Sequence, residues 1–180
     1  MRGVRGGEGL WYGVGGDNGF TEFFAADFPL LVGFLCKHGF EFEVARDAAS
    51  EAMLNAFQNW ASIDSPAAWV RQVGIRTAAK QVARARDGVD RAIRSDWACP
   101  DEYAEDKLMG QLENTSLVVT VLDQLPGRQR TVMSWLLDGF THAEIAERLG
   151  VRQGTVRSTI RHARKRLRRI YLELGGIEHG

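Results

Sequence analysis

The chain has 180 residues and a formal net charge of zero, a size that fits one mid-sized domain or two small ones. The zero total hides an asymmetry, because residues 20–64 hold seven acidic and two basic residues whereas residues 151–170 hold eight basic residues and no acidic one. Cys36 and Cys99 lie far apart without metal-ligand spacing, and no apolar run approaches the roughly 20 residues that span a bilayer, which argues against a disulfide framework, a zinc site and membrane insertion.

The first half of the chain predicts three helices behind a glycine-rich tail. Residues 1–19 lack the apolar core of a secretion signal and predict a disordered tail. Beyond them, apolar residues recur at helical spacings of three and four. The predicted helices are residues 20–40, 43–60 and 67–86. Pro29 predicts a kink or a late start in the first helix, and Ser65-Pro66 is a favourable start for the third.

The second half predicts another helical unit. Residues 87–106 are polar and acidic with weak periodicity, which predicts a flexible linker. Helices are then predicted for residues 107–124 and 128–138, on either side of a break at Leu125-Pro126-Gly127. The sequence therefore predicts an all-α protein of two small helical domains joined by a flexible linker.

Residues 141–170, THAEIAERLGVRQGTVRSTIRHARKRLRRI, have the features of a helix-turn-helix. Thr141 and Glu144 have the spacing of a capping box, and Phe140 and Ile145 occupy the positions of a hydrophobic staple. Gly150 suits the end of a helix, and residues 151–153 predict the turn.

The helix after this turn has one apolar face and one basic face. Its predicted buried stripe consists of Val156, Ile160, Ala163 and Leu167. Arginines on the opposite face suit guanine edges and phosphates in a DNA major groove. The alternative, a solvated amphipathic helix or a coiled-coil arm, leaves the capping box, the turn and the lack of acidic residues unexplained.

These motifs are similar to those of a known family. LPGRQRTVMSWLLDGFTHAEIAERLGVRQGTVRSTIRHARKRL resembles the second conserved domain of bacterial sigma-70 factors, and ARDAASEAMLNAFQNW followed by SPAAWVRQV resembles the first. The two-domain layout is that of the small extracytoplasmic-function (ECF) class. The resemblance implies a sigma region 2 domain at residues 20–86, a linker at 87–106, a region 4 domain at 107–174 and a tail at 175–180.

The sequence departs from the family pattern at five positions. Ser50 stands where the family prefers Gln, and Arg76 and Lys80 stand where Asn and Asp are common. Arg152 replaces the usual Ser that caps the recognition helix, and His162 stands where Arg is frequent. The promoter sequence is therefore not predicted.

The resemblance implies an alternative sigma factor, which binds the β and β′ subunits of core RNA polymerase, directs the enzyme to promoter DNA and helps to open the duplex. Such a factor is not an enzyme and needs no cofactor or metal, and the sequence suggests no nucleophile–base pair. The resemblance further implies a cytoplasmic location and an anti-sigma factor as partner, through which the protein would be held at a membrane only indirectly.

The resemblance also implies three functional surfaces. The residues expected to read the −35 element are Thr155, Arg157, Ser158, Arg161, His162 and Lys165, with phosphate contacts from Arg130, Arg152, Arg164 and Arg168. Those expected at the −10 element are Asp64, Ser65, Trp69, Arg76, Lys80 and Arg84, with Arg71 and Arg86 nearby on the same basic helix. Those expected to dock on polymerase are Asp47, Glu51 and Asn55.

Two tryptophans flank the loop of residues 61–66 that is expected at the −10 element. Trp60 and Trp69 have the aromatic faces needed to stack on an unpaired base. Core packing is the favoured interpretation for both, since each lies on the apolar face of its helix.

Two other functions are compatible with parts of the sequence. A LuxR-type regulator carries a similar helix-turn-helix, but its sensor domain would show β-strands. A sigma-like decoy would keep the fold and bind protein partners without promoter activity.

Overall fold

A computed structural model describes residues 19–86 and 115–175 of the chain, and every regular element within these two ranges is helical. The elements are α1 (Phe20–His38), α2 (Phe42–Gln58), a single 3-10 turn (Trp60–Ser62), α3 (Pro66–Arg86), α4 (helical at residues 115–122), α5 (Gly127–Leu137), α6 (His142–Leu149) and α7 (Gln153–Gly175). The all-α prediction is confirmed. The predicted linker, residues 107–114 and the two predicted tails, except Gly19 and Gly175, lie outside the described residues. The domain boundaries therefore remain a prediction.

Helices α1, α2 and α3 form the first unit. The inner face of α2 is lined by small, fully buried side chains: Ala45, Ala48, Ala49, Ala52 and Ala56. Short side chains let neighbouring helices approach closely. The same holds for Gly74 on α3, where an added Cβ would lie 3.2 Å from a methyl group of Leu35.

Helix α1 runs through its proline. A kink or a late start was predicted at Pro29; the helix begins at Phe20, so the late start was wrong. Proline removes one intrahelical hydrogen bond, but Pro29 lies in a buried stretch with Phe28 and Leu31, whose burial favours a continuous helix. The helix ends as predicted at Gly39, whose φ of 107° is accessible chiefly to glycine.

The helix-turn-helix of the second unit begins with the predicted capping box. The Thr141 amide donates to Glu144 Oε2 at 2.8 Å, and the Glu144 amide donates to Thr141 Oγ1 at 3.3 Å. Gly150 ends α6 in the left-handed conformation with φ of 63°. Because α7 already begins at Gln153, the turn is one residue shorter than predicted.

The apolar stripe of α7 faces the second unit. Val156, Ile160 and Ala163 are buried and Leu167 is half-buried, as predicted. They belong to a hydrophobic cluster that also contains Trp135 of α5. This packing leaves the opposite, basic face of α7 turned away from the core.

The two units pack against each other, a contact that the sequence does not predict. The ring of Phe34 on α1 meets Trp135 edge-on with a centroid distance of 5.0 Å. Gly33 allows close approach of α4, since a Cβ there would lie 3.3 Å from the hydroxyl of Thr115. The buried apolar cluster consequently runs from one unit into the other.

Candidate nucleic-acid interface

Helix α7 presents a continuous row of basic side chains to solvent. The exposed members are Arg157, Arg161, His162, Arg164, Lys165, Arg166, Arg168 and Arg169. The acidic residue at the end of the helix, Glu173, lies 3.6 Å from Arg169. The face before that point is uniformly positive, as a surface that binds phosphates requires.

The first turn of α7 lacks a side-chain cap. The Arg152 carbonyl accepts hydrogen bonds from the amides of Thr155 and Val156 at 2.9 and 3.3 Å. A guanidinium has no acceptor atom, so the Arg152 side chain cannot replace the serine usual in the family. It is exposed and free to reach a phosphate.

The residues predicted to read bases lie together at the N-terminal end of α7. Arg157 is exposed and donates to Gln153 Oε1 at 3.2 Å, which orients its guanidinium along the helix. Ser158 donates to the Thr155 carbonyl at 2.9 Å, so its hydroxyl keeps only its acceptor capacity for a base edge. Thr155 itself is half-buried and lines an open depression of about 340 Å³ between α5 and α7.

Arg130, predicted as a phosphate contact, is occupied within the protein. Its Nε donates to the Lys37 carbonyl at 2.8 Å, its Nη2 donates to the Cys36 carbonyl at 3.2 Å, and it forms an ion pair with Asp123. In this arrangement Arg130 cannot reach DNA. Its phosphate contact stays a prediction that requires the two units to separate.

Arg166, which sequence reasoning passed over, links α7 to the loop before α5. Its Nε donates to the Gln124 carbonyl at 2.9 Å. The pair is separated by 42 residues, so no local pattern reveals it. The bond joins α7 to the segment that precedes α5.

The predicted −10 residues lie on α3 and the loop before it. Arg76, Lys80 and Arg84 recur every four residues and are exposed, so they share one face. Asp64 and Ser65 are exposed in the loop, and the Ser65 carbonyl accepts from the Trp69 amide at 2.9 Å, which starts α3.

Both tryptophans beside this loop are partly buried. Trp69 packs against the hydrophobic core. Trp60 meets the ring of Phe20 edge-on at 5.2 Å and the ring of Phe23 at 5.1 Å. This agrees with core packing as the favoured interpretation, and base stacking by Trp69 stays a prediction.

Arg71 does not belong to the basic face of α3. Only 3 % of it is exposed, and its Nη1 donates to Asp27 Oδ2 at 2.6 Å while its Nε donates to Asp138. It lies near Arg76, Lys80 and Arg84 in sequence, but its position on the helix turns it into the protein. A charged residue on an apolar helix face indicates a buried partner of opposite charge. Asp27 and Asp138 are 44 and 67 residues away, so the sequence does not identify them as these partners.

The predicted polymerase-docking residues lie on the outer face of α2. Asp47 and Glu51 are exposed, and Asn55 is half-buried with its carbonyl accepting from Asn59 Nδ2 at 2.8 Å. The ring of Phe57, later on α2, is 52 % exposed and packs against the ring of Phe20 with a centroid distance of 5.1 Å. Six residues separate Phe57 from Glu51, so the two side chains do not share a helix face.

Burial shifts the pKa of several groups near the contact between the units. Burial raises the pKa of the Cys36 thiol to about 11, so this cysteine is unreactive. Burial of both ring nitrogens, reinforced by the charge of Arg130, lowers the pKa of His38 to about 4. Burial also acts to lower the pKa of Arg71, but the Asp27 hydrogen bond and the charge of Asp138 raise it above its ordinary value.

Two kinds of site are not found in the described part of the chain. Residues 19–86 and 115–175 contain no cluster of His, Cys, Asp or Glu that could hold a metal ion. None of the helices in these ranges is long and apolar enough to cross a membrane.

Comparison with known proteins identifies the family. The profile of sigma-70, region 4, matches residues 116–167, which include the helix-turn-helix. The ECF RNA polymerase sigma factor SigM of Mycobacterium tuberculosis, in strains Erdman and H37Rv, is 31 % identical over 139 residues, which cover 74 % of this chain and 68 % of SigM. The chain belongs to the ECF sigma factor family. The described part of the first unit is helical, which does not favour the sensor domain of a LuxR-type regulator. Membership of the ECF sigma factor family does not favour a decoy.

Two solved structures share the fold of this sigma factor. CnrH, in complex with the cytosolic domain of CnrY, has a TM-score of 0.58 and 20 % identity, and the match covers 87 % of this chain and 89 % of CnrH. RpoE from Bartonella quintana, in complex with the anti-sigma factor NepR, has a TM-score of 0.60 and 21 % identity, covering 89 % of this chain and 99 % of RpoE. The likeness therefore extends over both helical units.

Proposed function

We propose that this sigma factor binds core RNA polymerase, directs it to specific promoters and helps to open the duplex there. The observation that carries the proposal is α7: a helix introduced by a capped helix and a tight turn, buried on its apolar face and basic along its exposed face. This is the geometry of a recognition helix in a major groove. The factor acts in the cytoplasm by binding alone and catalyses no reaction.

Helix α7 supplies residues that read bases and residues that hold the DNA backbone. Arg157, Ser158, Arg161, His162 and Lys165 lie on the side of α7 away from the core and reach base edges of the −35 element. Arg164 and Arg168 are exposed on the same helix and contact phosphates, and Arg152 does so from the turn.

Helix α3 and its preceding loop meet the −10 element. The exposed stripe of Arg76, Lys80 and Arg84 follows a DNA backbone, while Asp64 and Ser65 in the loop offer polar groups to an unstacked base. Arg76 and Lys80 stand where the family commonly has Asn and Asp. Their positive charges make the electrostatic contribution of this helix to DNA binding larger than those residues would.

Helix α2 docks on the polymerase. Asp47 and Glu51 are exposed and supply negative charge on one helix face. Charge complementarity steers the association of protein partners and fixes their register. By analogy with RpoE and its partner NepR, an anti-sigma factor is a further partner.

The direct test is assembly with purified bacterial core polymerase, followed by gel filtration and run-off transcription. We expect the wild-type chain to co-elute with the core enzyme and to start transcripts that core enzyme alone does not start. The double variant Asp47→Lys/Glu51→Lys should lose co-elution, because it reverses the charge of the docking face.

A control is Glu22→Lys, which reverses one exposed charge on a different helix, α1. Co-elution of the control but not of the double variant supports docking through α2. If the wild-type chain never joins the core enzyme, the proposed function is wrong.

A further inference from the structure

Gln153 lies at the N-terminal end of the face of α7 that is proposed to read bases. It is the first residue of the helix, and its side chain is exposed. Arg157, Arg161 and Lys165 follow it at intervals of four residues and are exposed as well. Residues four apart are neighbours on one helix face, so Gln153 extends the row of proposed base contacts by one turn. The sequence predicts Gln153 in the turn before α7, whereas the structure places it on the helix.

A hydrogen bond joins Gln153 to the first arginine of this row. Arg157 Nη2 donates to Gln153 Oε1 at 3.2 Å. A hydrogen bond from a charged donor is stronger than one between neutral groups, and it limits the rotamers that two long side chains adopt. No carboxylate of α7 competes for Arg157, since the first acidic residue of the helix is Glu173, about four turns further along. Gln153 is therefore the group that sets the direction of the Arg157 guanidinium.

The bond determines which polar atoms of the two side chains are left for DNA. A guanidinium has five N–H donors, so Arg157 keeps enough of them for O6 and N7 of a guanine. Gln153 uses its carbonyl oxygen for Arg157 and keeps the two donors of its NH2 group. A glutamine with both groups available reads adenine, because it accepts from N6 and donates to N7. With the oxygen occupied, Gln153 offers donors only, which suits the two acceptors of guanine, N7 and O6.

We propose that Gln153 positions Arg157 and itself determines part of the specificity of the −35 contact. Its Oε1 holds the Arg157 guanidinium against one guanine, and its NH2 group donates to N7 and O6 of a guanine in a neighbouring base pair. The pair therefore selects guanine over adenine at the position that Gln153 reads. This role of Gln153 rests on the proposed function.

The test is run-off transcription from a promoter library with randomised bases in the upstream element, by core polymerase assembled with the full-length chain. Sequencing of barcoded transcripts gives the base preference at every position for the wild type and for each variant. Gln153→Ala should reduce the preference for guanine about 5-fold or more at two neighbouring positions, because it removes one base contact and releases Arg157.

Two further variants separate the positioning of Arg157 from the reading of a base. Gln153→Glu keeps an oxygen acceptor for Arg157 but has no NH2 group, so it should restore the preference at the Arg157 position and not at its own. Arg157→Ala releases the Gln153 oxygen, so the preference at the Gln153 position should change from guanine to adenine. A glutamine that only stabilised the start of α7 would not change its base in this way.

The positioning is also measurable in the free chain, without polymerase or DNA. Heteronuclear NMR of the full-length protein reports the rotation of the Arg157 guanidinium about its Nε–Cζ bond. We expect slower rotation in the wild type and in Gln153→Glu than in Gln153→Ala, because only the first two have an oxygen acceptor for Arg157 at residue 153. Equal rotation in all three proteins would overturn the positioning of Arg157.

The matched control is Gln124→Ala, which makes the same substitution at an exposed residue whose hydrogen bonds are formed by its main chain. It should keep the wild-type preferences, and far-UV circular dichroism checks that all variants are folded. The specificity role is wrong if Gln153→Ala selects the same bases as Gln124→Ala, or if Arg157→Ala leaves guanine at the Gln153 position. A wild-type chain that adds no selectivity to core polymerase contradicts the proposed function, and the role of Gln153 falls with it.

Discussion

Two arginines of α3, five residues apart in sequence, lie in opposite environments. Arg71 is buried among two carboxylates and two aromatic rings, whereas Arg76 is exposed on the face proposed to meet DNA. Both carry the same charge, and only their angular position around the helix separates them. Residue type alone therefore does not assign a basic residue to a DNA surface.

The pKa of His38 predicts a loss of stability in acid. The unfolded chain binds a proton at this residue near its ordinary pKa of 6.5, but the folded chain does so only at about 4. The unfolded state thus binds more protons between these values, so stability falls as the pH drops through this window, by about 2 kcal/mol at pH 5. Arg130 and Lys37 oppose protonation, while Asp138 and the Phe34 carbonyl favour it.

Urea unfolding at pH 7 and pH 5 measures this effect in the wild type and in His38→Gln, which does not titrate. We expect the variant to lose less stability than the wild type on acidification. An identical loss in both proteins would show that His38 is not the group responsible.

The basic residues of α7 predict two classes of DNA-binding defect. Arg161→Ala should remove a base contact and weaken binding to a specific promoter by about 1–3 kcal/mol, with little effect on random DNA. Arg168→Ala should weaken both evenly and reduce the salt dependence. Electrophoretic mobility shifts of the polymerase complex on promoter DNA and on random DNA measure both effects. If the two variants lose the same affinity on both DNAs, the assignment of Arg161 to bases and Arg168 to phosphates is wrong.

At the scale of the element, short sequence patterns determine where α6 begins and ends and therefore where α7 begins. The capping box, the left-handed Gly150 and the apolar stripe are all short-range patterns, and each is found where the sequence predicts it. The Glu144 carboxylate accepts hydrogen bonds from the Thr141 hydroxyl and amide, which lowers its pKa and keeps it charged.

Removing the cap should therefore destabilise the second unit. Thr141→Ala leaves the Glu144 amide without its side-chain acceptor and is expected to cost about 1 kcal/mol of unfolding free energy. Thr141→Ser keeps the hydroxyl and should cost less. Chemical denaturation followed by circular dichroism measures both, and a Thr141→Ala protein as stable as the wild type would contradict the importance of this cap.

At the scale of the whole molecule, Arg71 couples two units that the sequence presents as separate. Arg71→Met keeps the length of the side chain but leaves Asp27 buried without its cation and Asp138 with Lys37 alone, so we expect a loss of about 3–5 kcal/mol. Arg76→Met, on the exposed face of the same helix, should change stability by no more than about 0.5 kcal/mol. Thermal unfolding of the two variants makes the comparison, and similar melting temperatures would contradict the buried network.

The sequence predicted what is local and missed what is distant. Helix periodicity, the Gly39 end signal and the Thr141–Glu144 pair depend on residues within a few positions of each other, and the structure confirms them. The contacts of Arg130 with α1 and of Arg71 with Asp138 join residues 67 or more positions apart, and no spacing rule encodes them. The site residues on α2, α3 and α7 were predicted through family resemblance and local pattern, and most are exposed where DNA or polymerase can reach them.

The most direct measurement of the central claim is the mapping of transcript starts made by purified core polymerase on genomic DNA, with and without this sigma factor. Two helical units that both contact promoter DNA predict a set of new starts that share two sequence elements at a constant spacing. Starts identical to those of core polymerase alone would contradict the account.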